Sequence, residues 1–509
     1  MRSFDTPRDY RQLFYKLFIK NYMKESTISR RQFISNSALI GAAGAIGGTA
    51  ATGGLLTSCA SDSGKGRFKL VESDIPVIIP EMGDKAIDGK PLRAAIIGCG
   101  SRGSGAVRNF LDAADGLTIV SMVDVFPDRL ERLRTYLKDE RNMTVSDSKI
   151  HYGFDAYKNA CDDPEVDVVL IASPGVFHAM HVKYAIEKGK QVFCEKPAGI
   201  CPTTCREFLV AVKMAQAKGL CLQTGAQRNH LRGYIEAYRR VRAGMIGRIT
   251  GGVLKWNQGS MNYALRRPEW TDMEYMLRDF FSWNWLCGDH VIDQLVHQID
   301  IFTWFSHLKP VSVVAMGSQL QRRTGDIFDN FAMDIVYEGG VRVNAQARQI
   351  DNCAGDVSET IIGTEGTCYT KDNGTYTIHD WDGNLVWQYD VKEEEEKFQQ
   401  RGGYVLEHID FINHIRQGKS LTLEAERLVT SSLTGAMCRE SAYTGKEIKW
   451  DEFLVSDLSL LPTELHLGNI PDFEKKFVAP KMGTLAALPM TAEERAARAA
   501  ARAAAAPTT

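Results

Sequence analysis

Three observations predict an α/β fold, a doubly wound parallel sheet followed by a mostly antiparallel one. A short apolar run, Arg93-Ala94-Ala95-Ile96-Ile97, feeds directly into the glycine-rich turn Gly98-Cys99-Gly100-Ser101-Arg102-Gly103. Strand and helix patterns then alternate as βαβ units, and after Arg248 strand follows strand. The 509 residues leave room for both domains and for terminal segments. With 61 basic against 63 acidic side chains there is no electrostatic footprint for nucleic acid. The 11 cysteines are scattered, which argues against a disulfide framework, and Cys201 and Cys205 lack the second pair a zinc finger needs, so no metal is expected.

Residues 1–59 read as a processing segment. Ser29-Arg30-Arg31-Gln32-Phe33-Ile34 has the twin-arginine pattern, and an uncharged run from Ser35 to Leu56 follows. That run is too rich in Ala and Gly for a stable membrane span, and Leu56-Thr57-Ser58-Cys59 resembles a lipobox. The expectation is a protein exported by the twin-arginine route and held in the periplasm by a lipid on Cys59, its only membrane attachment; Met23 is a second candidate start. Twin-arginine export carries folded proteins, commonly because a cofactor is loaded first. Residues 60–90 read as a linker, 91–226 as the nucleotide domain, 227–455 as the substrate and oligomerisation domain, and 456–509 as an extension ending in a low-complexity tail.

In the glycine-rich turn, Gly98 permits the tight bend, Gly100 lets the backbone approach a pyrophosphate, and Gly103 lets the helix pack on the strand. Ser101 and Arg102 open that helix, whose amides face the anion. A second strand, Leu117 to Val123, ends at Asp124, about 20 residues on, where a carboxylate accepts from both ribose hydroxyls and repels a 2'-phosphate. NAD is therefore favoured over NADP. Further strands at Val166 to Ala172 and Gln191 to Cys194 place Ser173, Pro174, His178, Glu195 and Lys196 at carboxyl ends, where ligands of such sheets bind.

From Arg93 to about Trp450 the ordered features resemble the glucose-fructose oxidoreductase, inositol dehydrogenase and rhizopine catabolism family. They are the glycine loop, Asp124, Ala172-Ser173-Pro174 with His178, Glu195-Lys196-Pro197, Ile246-Gly247-Arg248-Ile249, Asp293 with His297, Gly363-Thr364-Glu365-Gly366 and the helix around Glu407-His408. The resemblance implies a Rossmann domain and a C-terminal α/β domain whose large open sheet walls the active site and commonly forms an oligomer interface, with helices near 403–445 packing back on the first domain.

The resemblance assigns catalysis to Lys196, Asp293 and His297. Spaced i, i+4, Asp293 and His297 would share one helix face; His297 is the candidate base, Lys196 the group that holds the reacting hydroxyl, and Asp293 holds the sugar or orients the imidazole. Gln227 and Arg228 are implied near nicotinamide and substrate. Trp283, Trp285 and the polar rim residue His290 suit a saccharide, whose C–H faces stack on indole. Three functions remain: an oxidoreductase acting on a sugar or glycoside hydroxyl with tightly bound NAD, a redox-neutral NAD-dependent glycoside hydrolase or lyase, and a non-catalytic sugar-binding protein. Relatives with the redox-neutral chemistry tend to lack the lysine, so Lys196 ranks the oxidoreductase first.

Overall fold

The computed structural model describes residues 83–483, apart from 262, 372 and 373, together with 491–504. Arg30, Arg31 and Cys59 lie outside the described residues. Among the described residues no helix is long and apolar enough to cross a membrane.

Six strands form the first sheet: β1 (Leu92–Ile97), β2 (Leu117–Asp124), β3 (Ile150–Tyr152), β4 (Val168–Ile171), β5 (Gln191–Glu195) and β6 (Leu222–Gly225). Their order is β3-β2-β1-β4-β5-β6, with every pair parallel. The order reverses between β1 and β4, which opens a crevice at their carboxyl ends. The helices α1 (Ser101–Ala113), α2 (Pro127–Arg141), α3 (His178–Glu187) and α4 (Pro202–Lys218) lie on crossovers, and the short helix Tyr157–Asp162 lies on the one from β3 to β4. Because both faces are covered, β4 is Val-Val-Leu-Ile with all four residues buried, the continuous apolar run of a parallel core strand.

After α5 (Arg232–Arg242) the chain enters the second sheet through β7 (Ile249–Gln258) and leaves it for α6 (Val296–Ser306). It returns through β8 (Pro310–Ser318), β9 (Asn330–Tyr337), β10 (Arg342–Gln349), β11 (Asp356–Gly363), β12 (Gly366–Lys371), β13 (Thr375–Asp380) and β14 (Leu385–Gln388). With a short β15 (Ile448–Lys449) the order is β14-β13-β12-β11-β7-β10-β9-β8-β15. All pairs are antiparallel except β7 with β10. Burial alternates along β9 and β10, the period of a sheet with one covered face. The hairpin read around Glu338-Gly339-Gly340 is present, pairing Arg342 with Val336 and Ala347 with Phe331.

Helix α6 lies under this sheet with all of its residues buried, and Gly252 on β7 lets the Phe302 ring approach the backbone. The last helices tie the layers together. Helix α7 (Gly403–Gln417) sets Leu406, Ile409, Phe411 and Ile412 into the core that holds Ile96, Phe110 and Phe193 of the first domain. Helix α8 (Leu423–Thr444) packs against α4, α6 and β8. Residues 456–477 also belong to the folded body: Leu458, Leu461, Ile470, Phe473 and Phe477 pack on its core.

Candidate active site

A cavity of about 670 Å³ opens at the carboxyl ends of β1, β2 and β4. Gly98, Gly100, Ser101, Arg102, Asp124, Ser173 and Pro174 line it, all of them expected at a cofactor. Gly98 has φ +92°, and a Cβ on Gly103 would lie 1.7 Å from the Gly98 carbonyl oxygen, so helix and strand meet only because position 103 carries no side chain. Gly100 differs. A Cβ there would meet only the Arg129 guanidinium, at 3.9 Å, so the space above it belongs to the cavity. The opening turn of α1 holds no acidic residue, leaving its amides to an anion. These features fit a dinucleotide: Gly100 and the amides of α1 would hold a pyrophosphate, and Asp124 would accept from a ribose.

Asp124 is held in place by its neighbours. Its carboxylate accepts from the Cys99 amide at 2.7 Å and the Phe126 amide at 2.9 Å, with Arg129 4.0 Å away. Burial nevertheless raises its pKa above the usual carboxylate value. A ribose diol donating to the remaining lone pairs would favour the ionised form.

The corner that holds Lys196, Asp293 and His297 adjoins the carboxyl end of β5. Lys196 donates to the Asp293 carboxylate at 3.0 Å, and Gln294 donates to the other Asp293 oxygen at 2.7 Å. The helix expected to carry Asp293 and His297 is interrupted: a short turn, His290–Asp293, ends at Gln294, and α6 begins at Val296. The expected common face is therefore replaced by a kink. Asp293 is engaged by Lys196 and Gln294, and no bond from it to the His297 imidazole occurs among the described residues. His297 lies instead along the Trp256 ring, centroids 5.6 Å apart and planes within 21°. The Arg228 guanidinium also sits over Trp256, at 5.1 Å, and pairs with buried Glu359 at 2.7 Å. Tyr234 and Thr370 donate to Glu359 as well, which fixes that arginine rigidly. Burial, then Arg228 and Lys196, push the His297 pKa well below its ordinary value, so the imidazole is neutral at neutral pH.

Beside the glycine loop, Glu195 pairs with Arg102 at 2.7 Å, and the guanidinium lies over the Tyr404 ring at 4.5 Å. Gln227 donates to the Tyr404 hydroxyl at 3.3 Å. Glu407 of α7 is fully buried nearby; burial and the neighbouring Glu195 charge drive its pKa well up, so it is held protonated. Neither Tyr404 nor Glu407 was readable as part of this cluster, because they arrive from a helix about 200 residues downstream of β5.

Four expectations need correction. His178 is buried with its ring nitrogens 2.7 Å from the Ser173 and Pro197 carbonyls, so it braces the loop behind the cavity, while His181 reaches the lining. Burial lowers the His181 pKa to about 3. Trp283 packs against Tyr275, Phe473 and Phe477, and Trp285 donates to the Met276 sulfur; both are core residues. His290 is 2% exposed and fixed by Asp289 and the Phe328 carbonyl, away from the cavity. Among the described residues no group of His, Cys, Asp or Glu is arranged to hold a metal ion.

The sequence matches two models: the oxidoreductase family, NAD-binding Rossmann fold, over 92–226, and the oxidoreductase family, C-terminal alpha/beta domain, over 240–450. Together they cover well over half of the chain. It belongs to this oxidoreductase family. Its first domain is thus the NAD-binding Rossmann fold of an oxidoreductase. Among its relatives is the scyllo-inositol 2-dehydrogenase (NAD(+)) of Bacillus subtilis, 25% identical over 70% of this chain and 98% of that protein. A glycosyl hydrolase family 109 protein of Solibacter usitatus is 26% identical over 45% of this chain and 52% of that protein. In structure the chain resembles the scyllo-inositol dehydrogenase of Lactobacillus casei with bound NAD(H) and scyllo-inositol: TM-score 0.54, 20% identity, covering 71% of this chain and 99% of the other. At that identity the likeness speaks for the fold.

Proposed function

We propose that the protein is an exported oxidoreductase that removes hydride from a hydroxyl-bearing carbon of a sugar or glycoside and keeps NAD bound between turnovers. The observation that carries this reading is the Lys196–Asp293 pair at the carboxyl end of β5, with the His297 imidazole stacked on Trp256 and close enough to feel the Lys196 charge. NAD, when bound, supplies the hydride acceptor. The Lys196 ammonium, aimed by Asp293, holds the substrate oxygen and stabilises the alkoxide that develops as the C–H bond breaks. Neutral His297 accepts the hydroxyl proton, leaving a carbonyl product. An imidazolium there is disfavoured by the Arg228 and Lys196 charges, so the proton leaves for solvent before the next turnover. Half-buried Trp256 beside His297 suits the C–H face of a polyol ring, while Arg228, 2% exposed and paired with Glu359, holds the indole in place.

The redox-neutral alternative keeps one specific support, the family 109 relative. A single-turnover experiment separates the two. Purified protein with its bound NAD is mixed with a panel of sugars, inositols and glycosides; nicotinamide absorbance reports reduction and mass spectrometry the product. Reduction matched by a carbonyl product is expected. Glycoside cleavage with no net reduced cofactor would replace this reading by the redox-neutral one.

Retention of NAD matters because little free cofactor exists outside the cytoplasm. Export through Arg30 and Arg31 and lipidation at Cys59 belong to the same proposal: replacing both arginines by lysine should leave precursor in the cytoplasm, and Cys59→Ala should abolish lipid labelling. Homo-oligomerisation is the remaining part, supported by the exposed apolar residues Val311, Val314 and Met316 on β8, and sedimentation tests it.

A further inference from the structure

The cavity has a second wall. Opposite the glycine loop it is lined by Leu277, Arg278, Asp279, Phe280 and Phe281, residues of the second domain. They belong to the helix Asp272–Arg278 and the turn after it, which cross to the adenosine end of the site. There the Arg278 guanidinium lies 4.0 Å over the Phe126 ring and pairs at 2.9 Å with Asp128 in the opening turn of α2. Arg129, also over Phe126 at 4.8 Å, reaches the Leu277 carbonyl. The two domains are thus bridged within a few residues of Asp124, the ribose-binding acid.

The crossing segment is also backed from behind. Thr271 caps the helix, Asp272 accepts from the Ile470 amide at 2.7 Å, and Met273 donates to the Gly468 carbonyl. Phe473 packs on Trp283 with centroids 5.3 Å apart, so residues 468–473 hold the segment against the cavity. A Rossmann domain alone leaves the adenosine of its ligand open to solvent at this edge. Here leaving the site means parting the Arg278–Asp128 charge pair, the Arg278–Phe126 cation–π contact and the Arg129 contact with the Leu277 carbonyl, all made to a buttressed helix.

We infer that residues 271–281 are a cofactor-retaining clasp, with Arg278 a cofactor-binding residue donated by the second domain and Asp128 its positioning partner. The assignment rests on NAD occupying the cavity and gives the retention proposed above a structural cause.

The test uses full-length protein purified with its nicotinamide and then reduced. Release of NADH is followed by fluorescence after dilution into an excess of a scavenging NADH oxidase. Arg278→Ala should accelerate release roughly 10- to 100-fold, as expected when a charge-assisted contact is removed. Asp128→Asn should accelerate it less, and Arg278→Lys, which keeps the charge, should restore part of the slow release. Melting of the cofactor-free proteins separates a clasp from general loosening, since a purely structural role would lower the melting temperature without the graded order of release. Release from Arg278→Ala and Asp128→Asn within twofold of the unmodified protein would overturn the clasp while leaving NAD binding intact. Unmodified protein that neither carries nor takes up nicotinamide would overturn the clasp together with the NAD assignment beneath it.

Discussion

The glycine loop and the Lys196–Asp293 corner are built by opposite means. The loop is main chain: six consecutive residues, Gly98 to Gly103, supply a turn, a set of amides and the absence of side chains. The corner is side chain. Lys196 comes from the end of β5, Arg228 from beyond β6, Trp256 from β7, Asp293 and His297 from either side of a helix break, and Glu359 from β11. A backbone site is written in contiguous sequence, whereas a convergent one exists only once two sheets have met.

The sharpest test of that contrast lies in the corner. Lys196→Met and His297→Ala should keep the fold and bound NAD yet lose roughly two to four orders of magnitude in single-turnover rate, the usual worth of a positioned acid or base. Asp293→Asn should cost less, because the amide keeps an oxygen for Lys196. Unchanged reduction in both larger variants would mean that the corner is packing rather than chemistry.

A change in the loop should show the reverse pattern. Gly103→Ala places a methyl group against the Gly98 carbonyl, forcing helix and strand apart, and should cost about 1 to 3 kcal/mol of stability as overpacking does. Copurifying NAD should fall away, as read by absorbance and thermal melting. Normal NAD content in this variant would show that the cofactor does not depend on the loop.

Asp124→Ser should have a smaller effect, weakening NAD by roughly tenfold and relaxing selectivity toward NADP, because one acceptor set is lost and the repulsion of a 2'-phosphate with it. Calorimetric titration of both cofactors checks this, and equal binding of the two by the unmodified protein would refute the role given to Asp124.

The subtlest expectation concerns pH. Since the His297 pKa is lowered, the imidazole stays unprotonated through the pH at which an ordinary histidine becomes charged. The acid limb of kcat/KM should therefore lie below pH 6.5. An inflection at the ordinary histidine value that disappears in His297→Ala would show the imidazole to be solvated.

The two sheets, their hairpin at Glu338 to Gly340 and the cavity lining from Gly98 to Pro174 were legible because each rests on local periodicity or on a contiguous turn. Trp283, Trp285 and His290 misled because chemical suitability for a sugar says nothing about which way a ring faces; all three were taken up by packing. The helix break at Gln294 is not visible in i, i+4 spacing, which presumes a continuous helix. Arg278 was invisible for a related reason. An arginine on a short amphipathic helix reads as solvated until the facing domain supplies Phe126 and Asp128.

Helix α7 has a consequence for how the molecule is made. Its Leu406, Ile409, Phe411 and Ile412 fill a seat that β1, α1 and β5 leave apolar, although the ribosome reaches that helix some 180 residues after the last Rossmann strand. A chain released at Ala226 would carry every strand of the first sheet and still lack the cover over Phe110 and Phe193. During synthesis the nucleotide domain waits in that unfinished state while the second sheet emerges, so folding is completed by the carboxyl-terminal part of the protein rather than in the order of translation.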